Sequence, residues 1–185
     1  MRFVPTKLDG AYVVEPERHE DERGFFARTW SVDELAGHGL VTELSQCSIS
    51  RNTHAGTLRG MHFQTAPHAE AKLVRCTAGA IFDVIVDLRP ESPTHADWVG
   101  VELAAETGTA LYIPKGFAHG FQTLVDGAEV FYMISDPYVP AAASGVRWDD
   151  PAFGIDWPEA ESRVMNDRDR SWPDYRPGSL RKRGT

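Results

Sequence analysis

From Ala11 to Ser135 this chain repeats one pattern: short segments with apolar side chains at alternating positions, spaced about eight to twelve residues apart and separated by glycine, proline, asparagine or aspartate. A period of two is that of an extended strand, and strands at this spacing with turn residues between them build a sandwich or barrel. The pattern predicts strands over Ala11–Glu15, Phe25–Trp30, Leu44–Ser50, Thr57–Gln64, Ala71–Cys76, Ile81–Arg89, Trp98–Leu103, Thr109–Ile113 and Glu129–Ser135, with a turn from Pro114 running into another strand at Phe121. His19–Gly24 reads as a charged turn before the second of these. Only one convincing helix signal breaks the series: Ser31 as N-cap with Glu34 three residues on, predicting a short helix over Ser31–Gly37. There is no GxGxxG and no helix–strand alternation, which argues against a doubly wound nucleotide fold. The fold class is therefore all-β.

After Pro137 the alternation fades while proline, aspartate and tryptophan rise; this part is expected to be an ordered tail wrapping the barrel, with a short helix in it. Residues 176–185, with Arg176, Arg181, Lys182 and Arg183, are expected to form a flexible end. At 185 residues, 42% hydrophobic and 25% charged, the chain fits one folded domain over 1–185 with a real core. Its net charge of −8 argues against nucleic acid as a partner, although local arginines can still hold a nucleotide. No apolar run has the length of a membrane span, and Met1–Pro5 lacks the apolar core of a secretion signal. Cys47 and Cys76 form no disulfide framework and no CxxC pair. The expected location is the cytoplasm, with both thiols free and no membrane contact.

The most informative strand is Thr57-Leu58-Arg59-Gly60-Met61-His62-Phe63-Gln64. On an extended backbone His62 and Gln64 share one face and Met61 and Phe63 the other, while Gly60 marks a bend or a close backbone approach. An arginine fork matches phosphate oxygens, and an imidazole suits proton transfer near neutral pH. Pro114-x-Gly116-x-x-His119 resembles the second motif of a cupin-type jelly roll. Cupins carry two metal-binding histidines on alternate positions of an earlier strand; here those positions hold His62 and Gln64, and an amide is a poor ligand for a transition metal. His62 and His119 with a carboxylate could still form a facial triad, but a site without metal is favoured. Proton chemistry then needs a group to orient the base, a stabiliser of negative charge and a second acid. Asp169, Lys72 and Tyr132 are candidates; each also has an ordinary reading, as a member of a solvated charge run, a surface lysine and a core aromatic.

With those residues in view, nearly the whole chain resembles the dTDP-4-dehydrorhamnose 3,5-epimerase family. The resemblance is carried in order by Asp21–Phe26, Leu58–Gln64, Ala71–Arg75, Asp83–Thr94, Pro114–Phe121 and Trp148–Pro151. It implies a metal-free cupin-type jelly roll with no cofactor, working as a homodimer on a dTDP-4-keto-6-deoxyhexose. By position it implies His62 as base oriented by Asp169, Lys72 beside the C4 oxygen, and Tyr132 returning a proton from the opposite face of the ring. It also implies Arg23 and Arg59 on the diphosphate, with Gln46, His119, Tyr138 and Arg168 lining the nucleotide or sugar pocket. Five positions depart from the family pattern: Arg28 and Ala143 replace glutamates, Gln46-Cys47-Ser48 replaces Gln-Asp-Asn, and Met133 replaces a lysine. Arg28 and Ser48 are counted with the substrate-binding residues at these altered positions. The rival readings are a single-carbon epimerase or ketoisomerase on a related nucleotide sugar, and, further off, a metal-dependent dioxygenase or a sugar-binding cupin.

Overall fold

The structure, a computed structural model, describes residues 1–176; the rest of the expected flexible end, 177–185, lies outside the described residues. Its strands are β1 (Arg2–Pro5), β2 (Tyr12–Glu15), β3 (Arg18–Asp21), β4 (Gly24–Ala27), β5 (Gln46–Arg51), β6 (Leu58–Gln64), β7 (Lys72–Ala78), β8 (Ala80–Asp87), β9 (Trp98–Ala104), β10 (Ala110–Ile113), β11 (Phe117–Thr123), β12 (Glu129–Ile134) and β13 (Ala143–Gly145). Two short helices join them, α1 (Val32–Gly37) and α2 (Asp167–Arg170). One sheet runs β1-β2-β10-β7-β12-β5 and the other β13-β6-β11-β8-β9, both antiparallel throughout, while β3 and β4 form a separate hairpin. This is the cupin-type jelly roll anticipated from the strand spacing and the glycine–histidine motif.

Alternation along the strands sorts the apolar residues into layers. Val74, Cys76, Leu111, Ile113 and Val130 from the first sheet meet Ile81, Ile85, Leu103, Phe117 and Phe121 from the second in a closed core between them. Each large aliphatic or aromatic side chain sealed there contributes about 1.5–3 kcal/mol. The outer face of the first sheet, with Leu73, Tyr112 and Met133, is covered by Leu35 of α1 and by Trp30, Leu40 and Val41. The outer face of the second, with Leu58, Met61, Phe63, Val84 and Val86, is covered by Val146, Phe153, Trp157 and Tyr175 of the C-terminal segment. The tail thus wraps the barrel as expected, and it contributes β13 and α2.

Three local expectations change. The first strand is β1, which the sequence reading passed over: four residues including Arg2 and Pro5 are too few to show a period. The charged stretch read as a turn is itself a strand, because Arg18–Asp21 pairs with Gly24–Ala27 from Arg18 opposite Ala27 to Asp21 opposite Gly24. Every residue of β3 is exposed, so no apolar alternation marks it. Fourth in order, β4 ends at Ala27 rather than Trp30. The helix is as read: the Ser31 hydroxyl accepts from the Glu34 N–H at 3.4 Å.

Candidate active site

A cavity of about 360 Å³ opens between the sheets. Strands β6, β11 and β13 form one wall with Arg59, His62, Gln64, His119 and Ala143, and β5, β7 and β12 the other with Gln46, Ser48, Ser50, Lys72 and Tyr132. Tyr138, Glu70 and Arg168 also line it.

The β6 wall owes its form to a bulge. His119 pairs with His62, yet Phe121 pairs with Arg59, so three steps along β6 match two along β11. Gly60, at φ +148°, sits at this shift, and a Cβ there would lie 2.6 Å from the Gly120 Cα. The glycine therefore permits both the backbone angle and the close approach. The extra residue turns Arg59 to the side of His62, where strict alternation would have opposed them.

Asp169 lies behind His62, 1% exposed, with His62 Nε2 2.7 Å from its Oδ1. The second oxygen accepts the Gly60 N–H at 3.2 Å. Burial works to raise the Asp169 pKa, but the bond to His62, its charge, the Gly60 N–H and Arg168 outweigh it and hold the carboxyl below the usual carboxylate range. An ionised carboxylate only accepts, so His62 donates through Nε2–H, and in the neutral ring Nδ1 carries the lone pair. The segment bearing Asp169 is fastened at several points. Asn166 caps α2 by accepting the Asp169 N–H at 2.7 Å, Leu58 N–H donates to the Val164 carbonyl at 2.9 Å, and Trp172 packs so closely on Gly145 that a Cβ there would meet its ring at 2.3 Å.

Tyr132 enters from the opposite sheet. Burial pushes its phenol well above the ordinary tyrosine value and the charge of Asp83 adds to this; Arg59 and Ser50 pull the other way without restoring it. The Ser50 hydroxyl makes no hydrogen bond of ordinary geometry, so its pull is weak. A phenol held this way stays protonated at neutral pH and can donate. His119 packs edge-on to it at 6.0 Å between ring centroids, its Nε2 2.7 Å from Asp83 Oδ1.

Arg59 donates through Nε to Asn52 Oδ1 at 2.8 Å, which fixes the guanidinium at the cavity edge. Lys72 Nζ lies 3.0 Å from Glu70 Oε1. Arg168 stacks on Trp172 at 5.0 Å. Gln46 Nε2 donates to the Asp136 carbonyl at 3.1 Å, and Tyr138 is largely exposed at the mouth. Arg59, Lys72 and Arg168 against the single carboxylate of Glu70 make the lining cationic in a chain of net charge −8. The site therefore suits an anionic ligand. Among the described residues no group of three or more His, Cys, Asp or Glu side chains is disposed to hold a metal ion.

Of the residues singled out from sequence, Arg59, His62, Lys72, Tyr132, Gln46, Ser48, His119, Tyr138 and Arg168 line this one cavity, with Asp169 bonded to His62. Arg23 and Arg28 do not line it. Arg23 pairs with Asp21 at 2.5 Å in the β3–β4 hairpin, and Arg28 with Glu34 at 3.2 Å, both side chains exposed. Sequence reasoning missed Glu70, Ser50, Asn52, Asp83 and Asn166. Two had a readable signal: Asp83 alternates with Ile81 and Ile85 on an apolar face, and Asn166 stands three residues before Asp169, as an N-cap would.

A ring nitrogen backed by a buried carboxylate on one wall and a protonated phenol on the other suits an isomerase of the cupin-type fold, one able to move protons on and off carbon. The comparisons narrow that class. The family model for dTDP-4-dehydrorhamnose 3,5-epimerase matches residues 5–176. A dTDP-4-dehydrorhamnose 3,5-epimerase of Methanothermobacter thermautotrophicus is 43% identical over 177 residues, covering 95% of each chain. The crystal structure of the Bacillus anthracis dTDP-4-dehydrorhamnose 3,5-epimerase, with TDP and PPi bound, matches with TM-score 0.90 and 40% identity, over 94% of this chain and 99% of that one. NovW, a 4-keto-6-deoxy sugar epimerase from the novobiocin cluster of Streptomyces spheroides, matches with TM-score 0.88 and 36% identity, over 94% and 87%. The chain belongs to the dTDP-4-dehydrorhamnose 3,5-epimerase family.

Proposed function

We propose that this protein inverts C3 and C5 of dTDP-4-dehydro-6-deoxy-D-glucose, giving dTDP-4-dehydro-L-rhamnose. The observation that carries the reading is that the His62–Asp169 pair and Tyr132 reach one cavity from opposite sheets. The C4 ketone acidifies the hydrogens on its two neighbours. His62 Nδ1 takes the proton from C3 or C5, the C–H electron pair moves to the C4 oxygen as an enolate, and Lys72 stabilises that charge. Tyr132 then gives its phenolic proton to the same carbon from the other face, which inverts it. Arg59, with Arg168, holds the diphosphate, and Gln46, Ser48, His119 and Tyr138 shape the nucleoside and sugar ends. No step calls for a metal or cofactor.

The chain acts as one domain, in the cytoplasm, as a homodimer. Support for the dimer comes from the β3–β4 hairpin, where Phe25 and Phe26 are 53% and 72% exposed beside Arg23. A hairpin of a second copy laid across the cavity mouth would cover those rings and bring Arg23, and Arg28 behind it, to the substrate.

Incubating the substrate with enzyme in deuterated water tests the reaction. We expect deuterium at both C3 and C5; its absence from both rejects the proposal, and its presence at one alone converts it to a single-carbon epimerase. His62→Ala should lower exchange by about 10²- to 10⁴-fold. Tyr132→Phe should slow inversion more than exchange, because proton removal survives. Near-normal turnover in both variants would mean the wrong site.

A further inference from the structure

Gln64 occupies the β6 position where a metal-binding cupin has its second histidine, and here its carboxamide is wholly committed to protein. Its Oε1 accepts the Val139 N–H at 2.6 Å. Its Nε2 donates to the Pro137 carbonyl at 3.1 Å, to the His68 carbonyl at 3.0 Å and to Oε2 of Glu70. Three acceptors around the nitrogen and a donor at the oxygen leave one orientation for the amide. The bonds at 137 and 139 bracket Tyr138, so one side chain fixes the backbone on both sides of that ring. Glu70 turns its other oxygen to Lys72, with both side chains about nine-tenths buried.

We propose that Gln64 and Glu70 are positioning residues that couple two parts of the cavity: the Tyr138 segment that meets the nucleoside, and Lys72 that meets the C4 oxygen. This deepens the function proposed above and rests on its assignment of Tyr138 and Lys72. The amide has two hydrogens for three acceptors, so one is shared. A shift of Pro137–Val139 as Tyr138 closes on a base redistributes those hydrogens, alters the hold on Glu70 and moves the ammonium that Glu70 carries. Contact with the remote nucleoside is thereby spent at the reacting carbon, so that nucleotide binding raises kcat and not affinity alone.

The test uses the full-length protein with Gln64→Glu, Glu70→Gln and the double variant. Affinity for dTDP is measured by calorimetry, solvent exchange into the 4-keto sugar is measured in parallel, and melting curves check folding. Gln64→Glu keeps the acceptor for Val139 but loses both donor hydrogens and sets a second carboxylate beside Glu70. It should weaken dTDP binding about tenfold and lower exchange kcat about 10- to 100-fold. Glu70→Gln should lower kcat to a similar extent with dTDP affinity held within about twofold. The double variant should lose no more kcat than the worse single variant, because one connection is cut twice. Additive kcat losses, or unchanged dTDP affinity in Gln64→Glu, overturn the coupling. If Gln64→Glu does not fold, Glu70→Gln decides alone, and a rise in KM as large as the fall in kcat counts against it. Wild-type protein that binds dTDP without exchange rejects the reaction, with the clamp on Tyr138 still judged by affinity. Normal exchange in the wild type and in both variants keeps the reaction and rejects the coupling.

Discussion

At His62 the choice of reacting nitrogen is made by its neighbour. An ionised Asp169 accepts from Nε2–H, so Nδ1 holds the lone pair that a base needs. Asparagine at 169 could offer its amide N–H to Nε2 and favour the opposite tautomer. Asp169→Asn should therefore lower exchange about 10²- to 10⁴-fold with little change in KM. The same carboxyl also enters the pH dependence of stability. Its folded pKa lies below that of an unfolded aspartate, so in acid the unfolded chain binds more protons and stability rises with pH. The contribution is complete above the unfolded value, about pH 4, and is lost as pH falls through the depressed folded value. Urea midpoints followed downward from pH 6 should fall less steeply in Asp169→Asn than in the wild type. Asp87 and Asp136, also depressed, should preserve part of the slope.

The β6–β11 bulge does at the level of an element what no single side chain can. It brings Arg59 and His62, three apart, to one cavity, and its tolerance depends on two glycines facing each other. A Cβ at Gly60 would lie 2.6 Å from Gly120 Cα, and one at Gly120 would lie 2.8 Å from the Arg59 carbonyl. Gly60→Ala should cost about 2–4 kcal/mol, read as a shift of the urea midpoint. Exchange measured on the fraction still folded should fall as well, because relief of the clash must re-aim Arg59 and His62. Folded Gly60→Ala with full activity would show that the bulge does not set the site. Within a second family-matching stretch, Asp83–Thr94, the end from Asp87 to Thr94 has a different duty. There the buried Asp87 carboxylate accepts from Arg89 at 2.7 Å, Ser92 at 2.5 Å and Thr94 at 2.8 Å, which ties the loop after β8 without lining the cavity.

Across the whole molecule, charge and apolar surface are unevenly placed. Cations gather at the cavity of an acidic chain, while Phe25, Phe26 and Ile49 of edge strand β5 are left exposed. Unpaired edges and exposed aromatic rings are what association removes. Phe26→Asp should convert the proposed dimer to monomer in sedimentation velocity at micromolar concentration. It should also raise KM about tenfold or more, since the hairpin would no longer deliver Arg23. A variant that stays dimeric with unaltered KM would assign the hairpin another role.

The all-β class, most of the strands and the Ser31 cap were legible because periods of two and capping chemistry are local, carried by residues within a few positions of one another. His62, Gln64 and His119 were legible as members of a site for the same reason. The charged strand β3 was not, because its exposed residues carry no apolar period and only its pairing with β4 makes it a strand. Nor were the partners Glu70 and Asn52, which are chosen by proximity across the fold. The amino-acid order by itself determined a two-layered β protein with histidine, lysine, tyrosine and arginine on defined strands. Tertiary structure alone decided that the bulge turns Arg59 inward and that Arg23 does not line its own cavity, and it is what brings Asp169, 107 positions away and named from the family resemblance, onto His62. Side-chain direction is written in the local backbone, but which groups meet depends on how the sheets close, and that closure is the sum of contacts between residues far apart in the chain.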